Sequence, residues 1–220
     1  MTILSYIVVA LVAYLLGSIP TGFLVAKARG IDIRSVGSGN IGAANTFRAI
    51  GKTAGIFVLV MDALKGAAAV WVCDLILKFF GITDSAVTIH YRVLAGVFAV
   101  LGHNYTCWLH FKGGKGIATT AGVYLALAPL SVASGLTAFI IGVVITRITS
   151  VGSMLAAVVL MITVLLTQHD LTLRLVTIAL CVLALLKHRT NIQRIIAGTE
   201  NRIEFKKKKP KPEDEDPKGH

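Results

Sequence analysis

Charged residues, acidic residues and cysteines are all scarce in this chain. Only 15% of its 220 residues are charged and 55% are hydrophobic, whereas about a quarter of an ordinary soluble domain is charged. A mean hydropathy of +0.76 excludes that soluble class. The 3 cysteines, Cys73, Cys107 and Cys181, lie far apart without a C-x-x-C pair, which gives little support to a disulfide framework or a metal site. We expect neither a metal nor a cofactor.

The shortage of acidic residues leaves the chain strongly basic, with 22 Lys and Arg against 11 Asp and Glu and a net charge of +11. A charge of this size brings nucleic-acid binding into consideration. The basic residues, however, fall in short segments between apolar runs, which is typical of a multi-pass membrane protein and leaves little soluble chain for a nucleic-acid-binding face. The sequence therefore predicts membrane lipids as partners and no nucleic acid.

Long apolar runs occupy most of residues 1–205 and predict an all-α, polytopic membrane domain with about seven transmembrane helices, since a crossing needs ~20 apolar residues. The predicted spans are Ile3–Ala26, Ala54–Lys78, Ile89–Leu101 (extended to Tyr105), Ile117–Ala128, Ser131–Thr146, Val151–Leu166 and Leu171–Leu186. The first lacks the features of a cleaved signal peptide, so we interpret it as a retained span with a kink near Pro20. Residues 206–220, rich in lysine, proline and acid, predict a disordered tail.

The orientation depends on the two short helices that flank Pro129. When both are counted as spans, the basic segments fall on one side of the membrane: Arg34–Lys52, Lys112–Gly116, Arg147–Ser150 and Lys187 onward. Positive loops face the cytoplasm, so this count places the N-terminus outside and the C-terminus in the cytoplasm. One long broken span at Pro129 is the alternative, and it would put basic loops on both sides.

The first polar segment contains Gly37-x-Gly39-x-x-Gly42, which matches the dinucleotide-binding fingerprint. That fingerprint requires a preceding strand and an acidic residue about 20 positions later, whereas here a membrane helix comes first and Asp62 lies within the next span. We therefore reject the dinucleotide interpretation. A simple glycine turn is the plain alternative. The surrounding polar side chains favour an oxyanion site with free N–H groups: Ser38, Asn40, Asn45 and Arg48.

The second polar segment, Lys112–Gly116, places three glycines and two lysines directly before a predicted helix. Free N–H groups at a helix N-terminus suit a phosphate. The segment is not a Walker A loop, because a glycine follows its second lysine. The positive-inside rule accounts for the lysines but not for the glycines, so we predict phosphate contact by Gly113, Gly114, Lys115 and Gly116. His103, earlier in this stretch, is either a proton-transfer group or a hydrogen-bonding bridge between loops.

The third polar segment, Lys187–Arg194, places His188 and Asn191 three residues apart, on one face of a helical turn. A juxtamembrane basic helix that binds anionic lipid headgroups is the alternative. The pairing of histidine with asparagine, followed by Glu200, fits that alternative poorly.

Asp62 and Lys65 stand three residues apart within the second span. Ionisable groups at that depth are usually paired or functional, and a pair that gives structural support to the loops is at least as well favoured as a catalytic role. The chain has no Ser–His–Asp order and no cysteine nucleophile. An enzyme with this equipment needs an activated substrate, to which it contributes positioning and charge stabilisation.

Taken together, the three polar segments resemble those of the bacterial membrane acyltransferases that use acyl phosphate and glycerol 3-phosphate, the PlsY family. The stretches that carry the resemblance are DIRSVGSGNIGAANTFR, GHNYTCWLHFKGGKGIATTAG and KHRTNIQRIIAGTE. The resemblance extends from the first span to about Glu204. It implies a bacterial inner-membrane enzyme, active on its cytoplasmic face, that acylates the sn-1 hydroxyl of glycerol 3-phosphate and releases inorganic phosphate.

The resemblance also implies roles for individual residues. It assigns Ser38, Arg48, Lys115, Ser150, His188 and Asn191 to the substrate site, and the glycines of both loops would shape the phosphate pocket. With the asparagines of the first polar segment, the predicted substrate-binding set is Ser38, Gly39, Asn40, Gly42, Asn45, Arg48, Gly113, Gly114, Lys115, Gly116, Ser150, His188 and Asn191. Within it, Lys115 and Arg48 would stabilise charge, and either His188 or the donor phosphate would accept the proton. Glu200 would support the third segment. The chain departs from the family at Ala44, often threonine, and at Thr106, often proline, which would loosen the start of the glycine–lysine loop.

A transporter of a phosphorylated solute is the alternative from another functional class. It would also place basic groups and broken helices within a membrane protein. It predicts functional polar residues near the middle of the membrane and symmetry between two halves of the chain, and no internal repeat is visible in the sequence.

Overall fold

A computed structural model describes residues 2–203, and the predicted tail at 206–220 lies outside them. Within the described residues all regular secondary structure is helical, as predicted. The helices are α1 (Thr2–Ser18), α2 (Thr21–Lys27), α3 (Ala43–Ala49), α4 (Lys52–Phe79), α5 (Ser85–Asn104), α6 (Ile117–Leu127), α7 (Pro129–Thr146), α8 (Thr149–Thr167), α9 (Leu171–Lys187) and α10 (Arg189–Ile196). A 3₁₀ turn, Cys107–Leu109, lies between α5 and α6.

Five elements in the described part of the chain are long and apolar enough to cross a membrane alone. They are α1 with α2, α4, α5 with the 3₁₀ turn, α7 and α8. A sixth arises if α9 and α10, which meet at a bend of 51°, count as one span, and α6 is a shorter apolar helix. Large apolar side chains remain exposed on these helices, among them Phe79 at 86% and Ile145 at 75%, as expected for surfaces that face lipid.

The helix boundaries confirm one prediction and correct another. The break at Pro129 is confirmed, since α6 ends at Leu127 and α7 begins at the proline itself, where its missing N–H has no helical partner to lose. The predicted start of the third span at Ile89 is wrong. α5 begins at Ser85 because the Asp84 side chain caps it, accepting a hydrogen bond from the N–H of Ala86 at 2.9 Å.

The predicted kink near Pro20 is a break between α1 and α2, and glycines beside it let neighbouring backbones approach. A Cβ at Gly17 would lie 2.1 Å from the carbonyl oxygen of Ala99, and one at Gly22 would lie 1.9 Å from that of Ile41. A side chain at either position would force the elements apart. The break therefore seats α1 against α5 and α2 against the first polar segment.

α4 and α6 pack with the same closeness. A Cβ at Gly122 would lie 1.8 Å from the carbonyl oxygen of Ala63, and one at Gly66 would lie 2.2 Å from that of Thr119. Small residues at such a crossing allow backbone-to-backbone contact. The contact fixes the start of α6, and the loop before it, relative to the charged residues of α4.

The three polar segments meet at one end of the helical bundle. The first includes α3, a short helix at a place where the sequence predicts a loop. The third is tied back to the α7–α8 junction, where the N–H of Ile203 donates to the carbonyl of Arg147 at 2.7 Å. The connections at the other end are short, and Asp170 caps α9 there by accepting from the N–H of Leu173 at 2.7 Å.

Candidate functional site

A cavity of ≈ 560 Å³ opens where the three polar segments meet. Its polar wall includes Ser38–Asn40, Gly113–Lys115 and Arg194. Tyr105, Leu183 and Leu186 form an apolar side. A polar wall joined to an apolar side suits a ligand that carries both an anionic group and a hydrocarbon chain.

The first polar loop is shaped by the buried side chain of Asn45. Its amide oxygen accepts from the N–H of Ser38 at 2.9 Å, and its amide nitrogen donates to the carbonyls of Ile33 and Val36 at 3.2 and 3.0 Å. Glycines at 37 and 39 take left-handed φ angles of 60° and 69°, which glycine adopts without strain. Asn45 therefore holds the loop from behind and is not itself part of the cavity wall.

The side chain of Asn40 fixes the last glycine of the same loop, since its oxygen accepts from the N–H of Gly42 at 2.9 Å. Ser38, Gly39 and Asn40 line the cavity. The N–H of Gly39 is bonded within the loop, to the carbonyl of Val36 at 3.0 Å. The predicted nest of free N–H groups is thus wrong for Ser38, Gly39 and Gly42, whose N–H groups all have partners in the loop.

The glycines of the second loop pack against the end of α5. The N–H of Gly113 donates to the carbonyl of Asn104 at 3.2 Å, and that of Gly114 donates to the carbonyl of His103 at 2.9 Å. A Cβ at Gly113 would lie 2.0 Å from the same His103 oxygen. The expectation that these two N–H groups face an anion is wrong, because α5 already accepts both. Gly116, with φ of 84°, caps α6.

The third segment is organised by the buried carboxylate of Glu200. Oε1 accepts from Ser150 Oγ at 2.9 Å and from Asn191 Nδ2 at 2.6 Å, while Oε2 accepts from Arg194 Nε at 2.7 Å. Burial raises the pKa of Glu200, but the three hydrogen bonds outweigh it and hold that pKa below its usual range. One carboxylate thereby joins α8 and α10. Ser150, which the resemblance placed among the substrate-binding residues, lies buried on this carboxylate.

Lys115 links the second loop to this carboxylate network. Its ammonium donates to Asn191 Oδ1, and the amide nitrogen of that same asparagine donates to Glu200. Burial, together with the nearby charges of Arg194 and Arg48 and against the attraction of Glu200, lowers the pKa of Lys115 to about 8. The lysine is thus partly desolvated and close to two other cations.

Arg48, at the end of α3, brings the first segment to the same place. It is exposed, and its charge interacts with Glu200 and Arg194. Its side chain has no hydrogen bond or ion pair with any residue in the described range 2–203. Its guanidinium is therefore available to a bidentate anionic ligand.

His188 lies between α9 and α10 and is 2% exposed. Its Nδ1 is 2.8 Å from the carbonyl oxygen of Ala184. A carbonyl can only accept, so Nδ1 carries a proton, and in the neutral ring Nε2 has a free lone pair. The ring also lies within electrostatic range of Lys115.

Asp62 and Lys65 form an ion pair deep in α4, as the sequence allowed, with 2.8 Å between Lys65 Nζ and Asp62 Oδ1. Both side chains are buried. Lys65 also donates to the carbonyl of Ile19 at 2.7 Å, where α1 breaks. The described residues that line the cavity include neither member of this pair, nor His103.

Part of the cavity lining consists of residues that the sequence does not identify as site residues. Lys187 lies over the ring of Tyr105, with Nζ 3.8 Å from the ring centroid, and donates to the carbonyl of Asn104 at 3.3 Å. Both line the cavity, as do Arg189 and Arg194. The signal for Arg194 was present in the sequence, since it continues the helical face of His188 and Asn191. Among residues 2–203 there is no group of His, Cys, Asp and Glu that could hold a metal.

The departure at Thr106 gives the start of the second loop a hydrogen bond that a proline could not make. Its hydroxyl donates to the carbonyl of Ser18 at 2.6 Å, and the side chain is buried. Its φ of −66° is one that proline also adopts. A hydrogen bond to the end of α1 thus constrains the start of the loop at the position where the family often has a proline ring.

The fold and the cavity together define a class: an all-helical, multi-pass membrane protein with a cationic site at one end of its helices. A family model described as glycerol-3-phosphate acyltransferase matches residues 7–198. Proteins named glycerol-3-phosphate acyltransferase from Geobacter sulfurreducens and Geobacter metallireducens are 44% and 48% identical, over 91% and 87% of this chain and 98% and 94% of theirs. The chain therefore belongs to the glycerol-3-phosphate acyltransferase family.

Solved structures give the same result. Two crystal structures of PlsY (YgiH), described as an integral membrane glycerol 3-phosphate acyltransferase, match with TM-scores of 0.81 and 0.79 at 36% and 34% identity. Each match covers 91% of this chain and 96% of the other. One is the glycerol 3-phosphate form and the other the lysophosphatidic acid form. The resemblance to the PlsY family is confirmed.

Proposed function

We propose that this protein is a glycerol-3-phosphate acyltransferase whose donor is acyl phosphate. The products are 1-acyl-sn-glycerol 3-phosphate (lysophosphatidic acid) and inorganic phosphate, and the reaction begins phospholipid synthesis. The observation that carries the proposal is a cavity lined by Lys115 and Arg194 on one side and by apolar residues on the other, with the charge of Arg48 close to both cations. The names of the relatives and of the PlsY structures support the acceptor and the reaction class.

The proposed topology has seven spans in one domain over residues 1–205. α6, although short, counts as a span, and the N-terminus lies outside. The segments that form the cavity then lie in the cytoplasm together with the C-terminus, as the positive-inside rule favours. In a bacterium this is the inner membrane, with the active face toward the soluble acceptor.

The cationic groups bind the two phosphate-bearing substrates. Ser38–Asn40 and Gly113–Lys115 supply the lining of the phosphate pocket, and Arg48 supplies a fork suited to phosphate oxygens. Other residues do not contact the substrates directly but hold these groups in place: Asn191, Ser150, Asn45, Gly42 and Gly116. The acyl chain of the donor lies along Tyr105, Leu183 and Leu186, the apolar side of the cavity.

The chemistry needs no covalent enzyme intermediate, because acyl phosphate is already an activated mixed anhydride. The sn-1 hydroxyl oxygen attacks the acyl carbonyl carbon, a new ester bond forms, and the bond from that carbon to the phosphate oxygen breaks. Lys115 and Arg48 stabilise the negative charge that develops on the carbonyl and on the departing phosphate. The protein contributes proximity and charge.

Two groups are candidates for accepting the hydroxyl proton. One is Nε2 of His188, which the hydrogen bond to Ala184 leaves as the free acceptor. The other is the donor phosphate. A pH–rate profile of His188→Ala separates them: a normal rate and profile would assign the proton to the phosphate, whereas a large loss with an altered profile would assign it to the histidine.

The proposal is tested with purified protein in detergent, acyl phosphate and glycerol 3-phosphate, by measuring released phosphate and lysophosphatidic acid. We expect equal amounts of both products, and no phosphate release without the acceptor. Acyl-CoA and acyl carrier protein serve as alternative donors and should give no product. Transfer from either at a comparable rate would overturn the donor assignment, and no transfer from any donor would overturn the activity.

A further inference from the structure

His103 is a buried ionisable residue that the proposed reaction leaves without a role, and it lies directly beneath the second loop. Its side chain is 5% exposed. A Cβ at Gly114 would lie 2.0 Å from His103 Nε2 and 2.7 Å from its Cε1. The imidazole therefore occupies the space that any side chain at position 114 would need.

The other edge of the ring faces the ion pair of α4. His103 Nδ1 is 3.7 Å from Asp62 Oδ1, the carboxylate oxygen that also lies 2.8 Å from Lys65 Nζ. Lys65 is in turn bonded to the carbonyl of Ile19. At 3.7 Å the two atoms are beyond hydrogen-bond distance, so the imidazole is packed between the ion pair of α4 and the loop without a hydrogen bond to Asp62.

The loop has little freedom to move away from this ring. The main-chain carbonyls of His103 and Asn104 accept the N–H groups of Gly114 and Gly113 at 2.9 and 3.2 Å. The next residue is Lys115, whose ammonium donates to Asn191 Oδ1. A shift of the Gly114 backbone would carry the start of the Lys115 side chain with it.

We infer that His103, by filling the space against Gly114, is a positioning residue that sets the Gly114 backbone and so directs Lys115 into the cavity. The inference rests on the proposed function for its kinetic consequence. It gives a separate reason for the glycine at 114, whose φ lies outside the left-handed region. An alanine is therefore allowed there by the backbone and excluded by the imidazole.

The test is a size-exchange cycle of four proteins: wild type, Gly114→Ala, His103→Ala and the double variant. Gly114→Ala alone should lower kcat/KM for glycerol 3-phosphate by about 10²-fold, the effect of a displacement near 1 Å. His103→Ala removes the clash, so adding Gly114→Ala to it should cause almost no further loss. If the two losses multiply instead, the glycine is needed for another reason and the inference is wrong.

The apparent melting temperature of the same four proteins gives a reading that needs no activity. Gly114→Ala should lower it clearly in the wild-type background and little in the His103→Ala background. Additive decreases would contradict the contact even if the chain transferred no acyl group. If the decreases in melting temperature are not additive but the losses in kcat/KM multiply, the two residues are in contact without a positioning role. That outcome would also overturn the inference.

Two further variants distinguish the bulk of the ring from its polar atoms. His103→Phe keeps a ring against Gly114 but loses both nitrogens, and His103→Asn keeps a polar group but loses most of the ring. If the ring sets the loop by packing, His103→Phe should retain more kcat/KM than His103→Asn and His103→Ala, and equal losses in all three would overturn the inference. His90→Ala is the matched control, an exposed histidine on the same helix, and should behave as wild type.

Discussion

This protein has two networks of charged residues, a lower one deep among the helices and an upper one beside the cavity, and they differ in net charge. The lower network is the Asp62–Lys65 pair, one anion against one cation, buried in α4 with no opening to the cavity. The upper network joins three cations, Arg48, Lys115 and Arg194, to the single carboxylate of Glu200. The first is neutral and closed, whereas the second has an excess of positive charge beside a cavity.

The difference separates structural from functional charge. A buried pair that satisfies itself holds helices in place and has nothing left for a ligand. An excess of cations, of which Lys115 and Arg194 are held by hydrogen bonds, is incomplete without an anion, and a bound phosphate completes it. Loss of a lysine from the lower network should therefore affect stability first, and loss of one from the upper network should affect binding and catalysis first.

The largest expected effect follows from Lys65→Met, which leaves Asp62 buried without its cation. Breaking a buried pair from one side typically costs about 3–5 kcal/mol of folding stability. We expect a large fall in melting temperature and in yield, while the protein that remains folded retains most of its specific activity. The double variant Asp62→Asn with Lys65→Met should recover much of the stability, because no unpaired charge remains. A double variant as unstable as the single one would contradict this account.

Next in size is Lys115→Met, which removes a cation from the upper network. Removal of one preorganised charge or donor at a transition state lowers rates by about 10²–10³-fold, and we expect a loss of that order in kcat/KM with little change in melting temperature. Lys112→Met is the matched control, since Lys112 is exposed on the same loop and does not line the cavity. Equal losses for both lysines would remove the distinction between the cavity and its surroundings.

A smaller effect concerns pH. With a pKa of about 8, Lys115 is charged below that pH and neutral above it. kcat/KM should therefore fall above pH 8, by up to about tenfold per pH unit. In the substrate complex a bound phosphate raises this pKa, so the fall in kcat should begin at higher pH. Lys115→Arg, which stays charged throughout this range, should lose the alkaline fall even if its rate is lower. An unchanged profile in that variant would assign the fall to another group.

The smallest effect should come from deletion of residues 206–220. Both networks are complete within residues 2–203, and chain termini generally tolerate truncation, so kcat/KM should stay within about twofold of the full-length value. Steady-state kinetics in detergent measure this directly. A loss above tenfold would mean that the basic tail contributes to the site.

Much of this architecture could be predicted from local sequence. Apolar runs predict membrane helices because length and hydropathy are properties of the segment itself. Pro129 predicts a helix start for the same reason. The meeting of the three polar segments also follows from the sequence, through the alternation of spans and the side on which the basic residues fall. α3 was missed because it is a seven-residue helix inside a polar, glycine-rich segment.

The roles of the glycines could not be predicted in the same way. Whether a glycine faces a ligand or a neighbouring side chain depends on what packs against it in the fold. The sequence favoured anion contact through the N–H groups of Gly113 and Gly114, but α5 accepts both of those hydrogen bonds. The partner of Thr106, on α1, lies 88 residues away in the chain. Such contacts become visible only when the tertiary structure is known.

The most direct test of the account is the affinity for glycerol 3-phosphate without any donor, measured by calorimetry on wild type, Lys115→Met and Lys65→Met. The excess of cations in the upper network predicts at least about tenfold weaker binding for Lys115→Met. It predicts near-normal binding for the folded fraction of Lys65→Met. Unchanged binding by Lys115→Met, or a loss confined to Lys65→Met, would contradict the separation of a closed structural pair from an open, functional network.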